Sequence, residues 1–116
     1  MLYQAKAELF RTLAHPVRIR VLELLAQRDH AVYELLTHLD VEQSNLSQQL
    51  AVLRRAGLVR QTRTGGEVVY SLVVPAVRDL LVSSRAVLLD RIQEDVGLGE
   101  ELSQAAQESP SRSDES

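Results

Sequence analysis

The sequence predicts a mainly α-helical domain with one small β-hairpin. Apolar residues recur at intervals of three and four along five segments, the spacing of helices that bury one face. Two strand-like runs are separated by Gly65-Gly66, a pair typical of two-residue hairpin turns. A chain of 116 residues is of the size of one domain. The predicted order is four helices, two strands and a last helix.

A proline separates the first two helices. The first runs from Leu2 to Leu13, and His15-Pro16 interrupts its pattern. Pro16 fits the first turn of a helix, so the second is predicted from Pro16 to Gln27. A connection from Arg28 to His30 leads to a third, shorter helix from Val32 to Leu39.

The fourth helix is predicted from Gln43 to Ala56. Its buried stripe consists of Leu46, Leu50 and Leu53, and its opposite side carries mainly amides and hydroxyls. Gly57 follows in the position where glycine commonly ends a helix.

The hairpin and the last helix complete the domain. The strands are predicted from Leu58 to Thr64 and from Glu67 to Leu72, and the last helix from Pro75 to about Val96. We assign residues 1–97 to one domain and residues 98–116 to an acidic, Ser-rich, partly disordered tail. From residue 100 onward there are five acidic side chains and one arginine, so residues 1–99 carry a formal net charge of +1.

One window of this nearly neutral body contains no acidic residue. Between Gln43 and Gly66 lie four arginines, Arg54, Arg55, Arg60 and Arg63, and no Asp or Glu. The window begins with small hydrogen-bonding side chains on the fourth helix and ends in the basic hairpin. A polar helix can read base edges in a major groove, and arginines can contact the phosphates beside it.

Three collinear motifs resemble the ArsR/SmtB family of bacterial repressors. Residues 13–22 read LAHPVRIRVL, and residues 44–50 read SNLSQQL, followed by LRRAGLV at residues 53–59. Residues 63–66 read RTGG, followed by YSL at residues 70–72. The resemblance covers residues 5–92 and implies a winged helix-turn-helix with the α-α-α-α-β-β-α order.

The family resemblance implies a homodimeric, operator-binding repressor, with double-stranded DNA as its partner. It implies a dimer interface between the first and last helices of two subunits, and both helices carry apolar stripes that a compact head cannot cover. A two-fold dimer predicts an inverted-repeat operator. The predicted interface residues are Leu2, Ala5, Leu9, Leu80, Leu81, Ser84, Leu88 and Ile92.

The expected DNA-binding residues follow from the same motifs. Gln48 is expected to read a base, because an amide can bond adenine through two hydrogen bonds. Arg55, Arg60 and Arg63 are phosphate candidates, and Arg63 is expected to reach the minor groove. For Arg54 and Arg55, pairing with a carboxylate such as Glu23 or Asp40 is an open alternative to a phosphate contact. The predicted set is Gln43, Ser44, Asn45, Ser47, Gln48, Arg55, Arg60, Arg63, Thr64 and Gly65.

The hairpin departs from the family pattern at its turn. Family members usually carry a basic residue directly after the turn glycine, whereas here Gly66 occupies that position and Glu67 follows. We expect this hairpin to hold DNA weakly or to lie beside it.

Neither a metal nor a cofactor is expected. The chain has no cysteine, which removes thiolate ligands and thiol sensing. At the family positions that hold cysteines on the third helix stand Leu36 and His38, and the predicted last helix has no histidine. No nucleophile, base or phosphate-loop pattern indicates an enzyme. The absence of a signal peptide or membrane-length run predicts a cytoplasmic protein without a membrane partner.

Two alternatives to a simple repressor remain open. A winged helix can lose DNA binding and serve as a protein-interaction module, which Glu67 and the low body charge would suit. A regulator can also respond to a small molecule in a pocket at the dimer interface. The inducer, the operator and the target genes are not predicted.

Overall fold

The computed structural model describes residues 1–92, which form five α-helices and three short strands. The predicted mainly helical class is confirmed, with one strand more than expected. The elements are α1 (Leu2–Leu13), α2 (Pro16–Gln27), β1 (His30–Ala31), α3 (Val32–His38), α4 (Gln43–Arg55), β2 (Val59–Thr64), β3 (Glu67–Leu72) and α5 (Ala76–Ile92).

The start of α2 follows from His15 and Pro16. His15 is extended, with φ −151° and ψ 121°, and its Nδ1 accepts a hydrogen bond of 3.2 Å from the backbone N–H of Val17. Pro16 is the first helical residue, where its missing N–H leaves no helical hydrogen bond unmade. The predicted break between the first two helices is confirmed.

The end of α4 is a Schellman motif, one residue earlier than the predicted Ala56. Gly57 has φ +78° and donates its N–H to Arg54 at 3.0 Å, while Leu58 donates to Leu53 at 3.0 Å. Leu53 and Leu58 are both buried, which supplies the apolar contact that accompanies this motif. Because Leu58 closes the helix, the following strand begins at Val59 rather than at Leu58.

The predicted hairpin is one part of a three-stranded antiparallel sheet of order β1-β3-β2. The hairpin register pairs Thr64 with Glu67, so Gly65 and Gly66 form the two-residue turn. Both glycines have positive φ, +57° and +84°, as a type I′ turn requires.

The additional strand corrects the predicted connection from Arg28 to His30. His30 pairs with Tyr70 and Ala31 with Val69. A strand of two residues is too short to show the alternation by which strands are predicted, and its charged flank indicated a loop.

The core is almost wholly aliphatic and lies between α2, α3, α4 and the sheet. The largest fully buried side chains are leucines, with Tyr70 the aromatic member. Leu46, Leu50 and Leu53 are buried, as their spacing predicts. The other members are Leu13, Val21, Leu22, Leu24, Leu25, Leu35, Leu58, Val59 and Val77.

The last helix is attached to the head at its first turn. Val77 is buried in the core, and the guanidinium of Arg78 donates from Nε at 3.0 Å and from Nη2 at 2.6 Å to the carbonyl of Ala26. That carbonyl lies in the last turn of α2, where helical carbonyls lack partners within the helix. The predicted extension to Val96 and the predicted tail of residues 98–116 lie outside the described residues. No helix within residues 1–92 is long and apolar enough to cross a membrane.

Candidate nucleic-acid interface

One side of α4 is polar and open to solvent. Gln43, Ser44, Ser47 and Gln48 are all exposed, whereas the leucines of the same helix form the core. The side chains that can hydrogen-bond base edges therefore project away from the body. A helix held by its apolar side can insert the opposite side into a major groove.

Asn45 stands at the border between this exposed side and the interior. It is half-buried, and its Oδ1 accepts a hydrogen bond of 2.9 Å from Nε2 of Gln49. Gln49 is only 8% exposed, and its Oε1 accepts a hydrogen bond of 2.8 Å from Nε of Arg18 in α2. Arg18 also donates from Nη1 to the carbonyl of Thr12 at 3.0 Å. This chain of contacts, which we call the amide brace, fixes α4 to α2 and to the last turn of α1.

The arginines of the acid-free window have different surroundings. Arg54 donates to Oε1 of Gln61 in β2, and the hydroxyl of Tyr70 donates to the same oxygen at 2.9 Å. Arg54 is thus bound to an amide and not to the carboxylate that was the alternative. Arg55 is exposed, and within residues 1–92 no carboxylate forms an ion pair with it.

Two arginines lie on the hairpin itself. Arg60 and Arg63 are exposed, as are Thr64 and Gly65 at its tip. Successive side chains of a strand point to opposite sides, so Arg63 shares the side of Gln61 and Arg60 lies on the other side. The structure therefore does not bring these two guanidinium groups together on one surface of the hairpin.

A buried histidine lies in β1, directly before α3. His30 in β1 is 2% exposed, its Nδ1 lies 2.9 Å from the carbonyl of Arg28, and its ring packs edge-on to that of His38 at 5.9 Å. Burial disfavours the charged imidazolium and lowers the pKa of His30.

The carboxylate of Glu34 caps the start of α3. It accepts the backbone N–H of Ala31 at 2.8 Å and lies beside the guanidinium of Arg28 at 3.3 Å. The Ala31 hydrogen bond, followed by the Arg28 contact, lowers the pKa of Glu34.

The predicted interface residues of α1 and α5 differ in exposure. Leu2 and Ala5 are exposed, and Leu88 is 39% exposed; Leu9, Leu80 and Leu81 are half-buried and pack partly on their own core. Ser84 is exposed and its hydroxyl donates to the Leu81 carbonyl at 2.7 Å, while Ile92 is half-buried. The predicted interface set leaves out further exposed apolar side chains of these two helices, namely Phe10, Val82, Val87 and Leu89.

Ligands for a metal are sparse in the described part of the chain. Across residues 1–92 no three His, Cys, Asp or Glu side chains are placed to hold one ion. On α3, Leu36 is half-buried and apolar, and His38 is adjacent to His30.

Sequence reasoning missed the amide brace. Gln49 was taken as one more polar residue of the fourth helix, although it lies only about 60° around the helix from Leu46. A polar residue inside an apolar stripe usually has a buried partner, and that position was the available signal. Arg18 gave no comparable signal, because its partner lies 31 residues away.

Comparisons with known proteins agree with this geometry. Residues 15–61 match the model of the bacterial regulatory proteins of the arsR family. The uncharacterised HTH-type transcriptional regulator Rv0081 of Mycobacterium tuberculosis is 51% identical over 102 residues, covering 87% of this chain and 90% of that protein. The biofilm growth-associated repressor of Agrobacterium fabrum is 41% identical over 81 residues, covering 70% of this chain and 69% of the repressor.

Solved structures show the same architecture. The crystal structure of Rv0081 superimposes with a TM-score of 0.76 at 52% identity, covering 82% of this chain and 96% of that one. The homodimeric winged helix-turn-helix DNA-binding domain of Mb0332 from Mycobacterium bovis superimposes with a TM-score of 0.70 at 27% identity, covering 80% and 86%.

Proposed function

Because this chain belongs to the ArsR family of bacterial regulatory proteins, and is a transcriptional regulator of that type, we propose that it acts as a homodimeric repressor that binds an inverted-repeat operator. The observation that carries this proposal is the exposed polar side of α4, held in place by a fully buried leucine stripe. That side lies within a window free of Asp and Glu, so it presents no carboxylate of its own to the phosphates.

In this proposal α4 is the recognition helix. Gln48 reads a base through its amide, and Ser44 and Ser47 bond phosphates or base edges together with Gln43 at the start of the helix. Arg55 contacts a phosphate from the end of α4. A two-fold dimer places the two α4 helices about 34 Å apart, on successive major grooves.

In this proposal the hairpin lies beside the duplex and contributes only weakly to DNA binding. Arg63, with Thr64 and Gly65 at the tip, approaches the backbone or minor groove, and Arg60 contacts phosphate from the other side of β2. Glu67 follows the turn and is exposed, and it takes part in none of the ion pairs described within residues 1–92. Its charge weakens the grip of the hairpin on DNA.

The dimer is proposed to form through α1 and α5. Leu2, Ala5 and Leu88 are exposed in one subunit, and neighbouring apolar side chains on both helices are exposed with them. Burial of such a surface against a second copy removes it from water. The domain of Mb0332, which shares the fold, is homodimeric, which supports the same assembly here.

We propose further that the regulatory signal is not a transition metal. The sequence has no cysteine and therefore no thiolate ligand. On α3, the apolar Leu36 occupies a position at which the family resemblance implies a cysteine ligand. A thermal-shift measurement with Zn²⁺ tests this part alone: an increase in melting temperature that a chelator reverses would contradict it.

DNA binding is tested by fluorescence anisotropy with duplexes from the promoter region of the protein's own gene. We expect tighter binding to one inverted repeat than to a scrambled duplex, with two subunits bound and affinity falling steeply as salt rises. No binding at micromolar protein and low salt would overturn the proposal and favour a protein-interaction module.

A further inference from the structure

We infer that the amide brace fixes Asn45 as an obligate hydrogen-bond donor toward DNA, and that Arg18 and Gln49 are the positioning residues that impose this polarity. The inference rests on the proposed function, in which α4 enters the major groove. It deepens that function by assigning a direction to one contact and a role to two residues that do not reach DNA.

The polarity begins at Arg18. A guanidinium has only donors, so the atom of Gln49 that faces Arg18 at 2.8 Å must be the oxygen Oε1. The second contact of Arg18, to the carbonyl of Thr12 at 3.0 Å, holds the guanidinium in this orientation.

The polarity then passes through Gln49. With Oε1 facing Arg18, Nε2 of the same planar amide faces Asn45, at 2.9 Å. An NH₂ group only donates, so Asn45 must meet it with the oxygen Oδ1. Gln49 is 8% exposed, and reversing its amide would set an NH₂ against the Arg18 guanidinium in a region with little water.

The polarity ends at the border of the exposed side of α4. Because Oδ1 of Asn45 is turned toward Gln49, its Nδ2 is turned away from Gln49. Asn45 is half-buried, between the interior and the exposed Ser44. The group offered outward is a donor pair, which matches the acceptor oxygens of phosphate and carries no acceptor that would repel them.

A double-mutant cycle tests the inference, with a labelled mixed-sequence duplex of about 30 base pairs at low salt as the probe. Gln49→Glu keeps an oxygen for Arg18 and removes the NH₂ that faces Asn45. Asn45 then lowers its energy by turning its amide, which points Oδ1 at the DNA. In the wild-type background we expect Asn45→Ala to weaken binding about tenfold for each subunit in contact with the duplex, the effect of losing one hydrogen bond to a charged group.

The cycle separates the effect of the Asn45 amide orientation from the effect of the negative charge that Gln49→Glu adds. In the Gln49→Glu background we expect Asn45→Ala to change affinity less than about twofold, or to improve it, because the amide no longer donates to DNA. The carboxylate is present in both variants of that background, so its general repulsion of DNA cancels. Equal losses on Asn45→Ala in the two backgrounds would overturn the inference.

Gln48→Ala, measured in parallel on a specific and a random duplex, separates this inference from the proposed function. If wild-type protein binds the duplex and Gln48→Ala alters sequence preference while Asn45→Ala has no effect, the inference fails and the proposed function stands. If wild-type protein does not bind DNA at all, the proposed function fails first.

Thermal denaturation will identify variants that fail to fold. If any do, a measurement on the wild-type protein tests the inference instead. In ¹⁵N NMR spectra, the side-chain NH₂ signals of Asn45 should shift on addition of the duplex, and those of Gln49 should stay protected from exchange. Asn45 signals that do not shift in a DNA-bound sample would overturn the inference.

Discussion

Gly66, the second residue of the hairpin turn, has a backbone conformation that residues with a side chain rarely adopt. Gly66 has φ +84°, and a Cβ built on it would meet nothing within 4 Å. Replacement by alanine is therefore opposed by the backbone conformation alone and not by a clash. The left-handed conformation costs a residue with a side chain about 1–2 kcal/mol, and the loss of unfolded-state freedom offsets about 0.4–1 kcal/mol of it.

We expect Gly66→Ala to lower the free energy of unfolding by about 1 kcal/mol, which lowers the melting temperature by about 4–8 °C for a domain of this size. Gly66→Asn should lose clearly less, because asparagine tolerates positive φ. Thermal denaturation followed by circular dichroism, at one fixed protein concentration, measures both.

Gly66→Lys separates the backbone from the charge. Its loss of stability should equal that of Gly66→Ala, because both side chains meet open space. Each new phosphate contact should steepen the dependence of log affinity on log salt by about 0.9. Equal melting temperatures for wild type, Gly66→Ala and Gly66→Asn would refute the reasoning, since the turn would then not require a glycine conformation.

Three further outcomes follow from the interface and the core. Leu88→Glu should convert the dimer to a monomer in light scattering and abolish operator binding, whereas Tyr33→Glu, at an exposed site on α3, should leave the dimer intact; a dimer in both variants would contradict the α5 interface. Stability should fall as the pH drops from 7.5 toward 5, because the buried His30 has a lowered pKa and the unfolded chain takes up the proton first, at about pH 6.5. This one group changes the free energy of unfolding by at most about 1.4 kcal/mol per pH unit. Urea denaturation at several pH values should show a flatter dependence of that free energy on pH for His30→Gln. An unchanged dependence would show that another group causes the effect. Gln48→Ala should relax base preference at about 1–3 kcal/mol, whereas Arg63→Ala should weaken specific and random duplexes alike. Equal losses on both duplexes for Gln48→Ala would refute its assigned role.

The helices could be predicted from the sequence because their determinants are local. Pro16 and the leucine spacing of α4 define elements that the structure places within a residue or two of the predicted bounds. Gly57 and Gly66 likewise act through their own backbone conformation, so the helix end and the turn follow from residue type.

What could not be predicted depends on partners distant in the chain. The strand at His30 exists because Tyr70 and Val69 lie beside it, and nothing local indicates that pairing. The helical position of Gln49 indicates that it is buried, but not that its partner is Arg18, 31 residues away in α2. Gln61 is likewise bound by Arg54 and Tyr70, which lie outside its own strand.

The contact between Arg78 and the carbonyl of Ala26 has a mechanical consequence for regulation. It joins the first turn of α5 to the last turn of α2, and the amide brace joins α2 to α4. Within one subunit, side-chain contacts thus connect the first turn of α5 to α4 by way of α2. In the proposed dimer, we expect a change in the angle between the two subunits to pass through these contacts and to alter the spacing of the two α4 helices along the duplex.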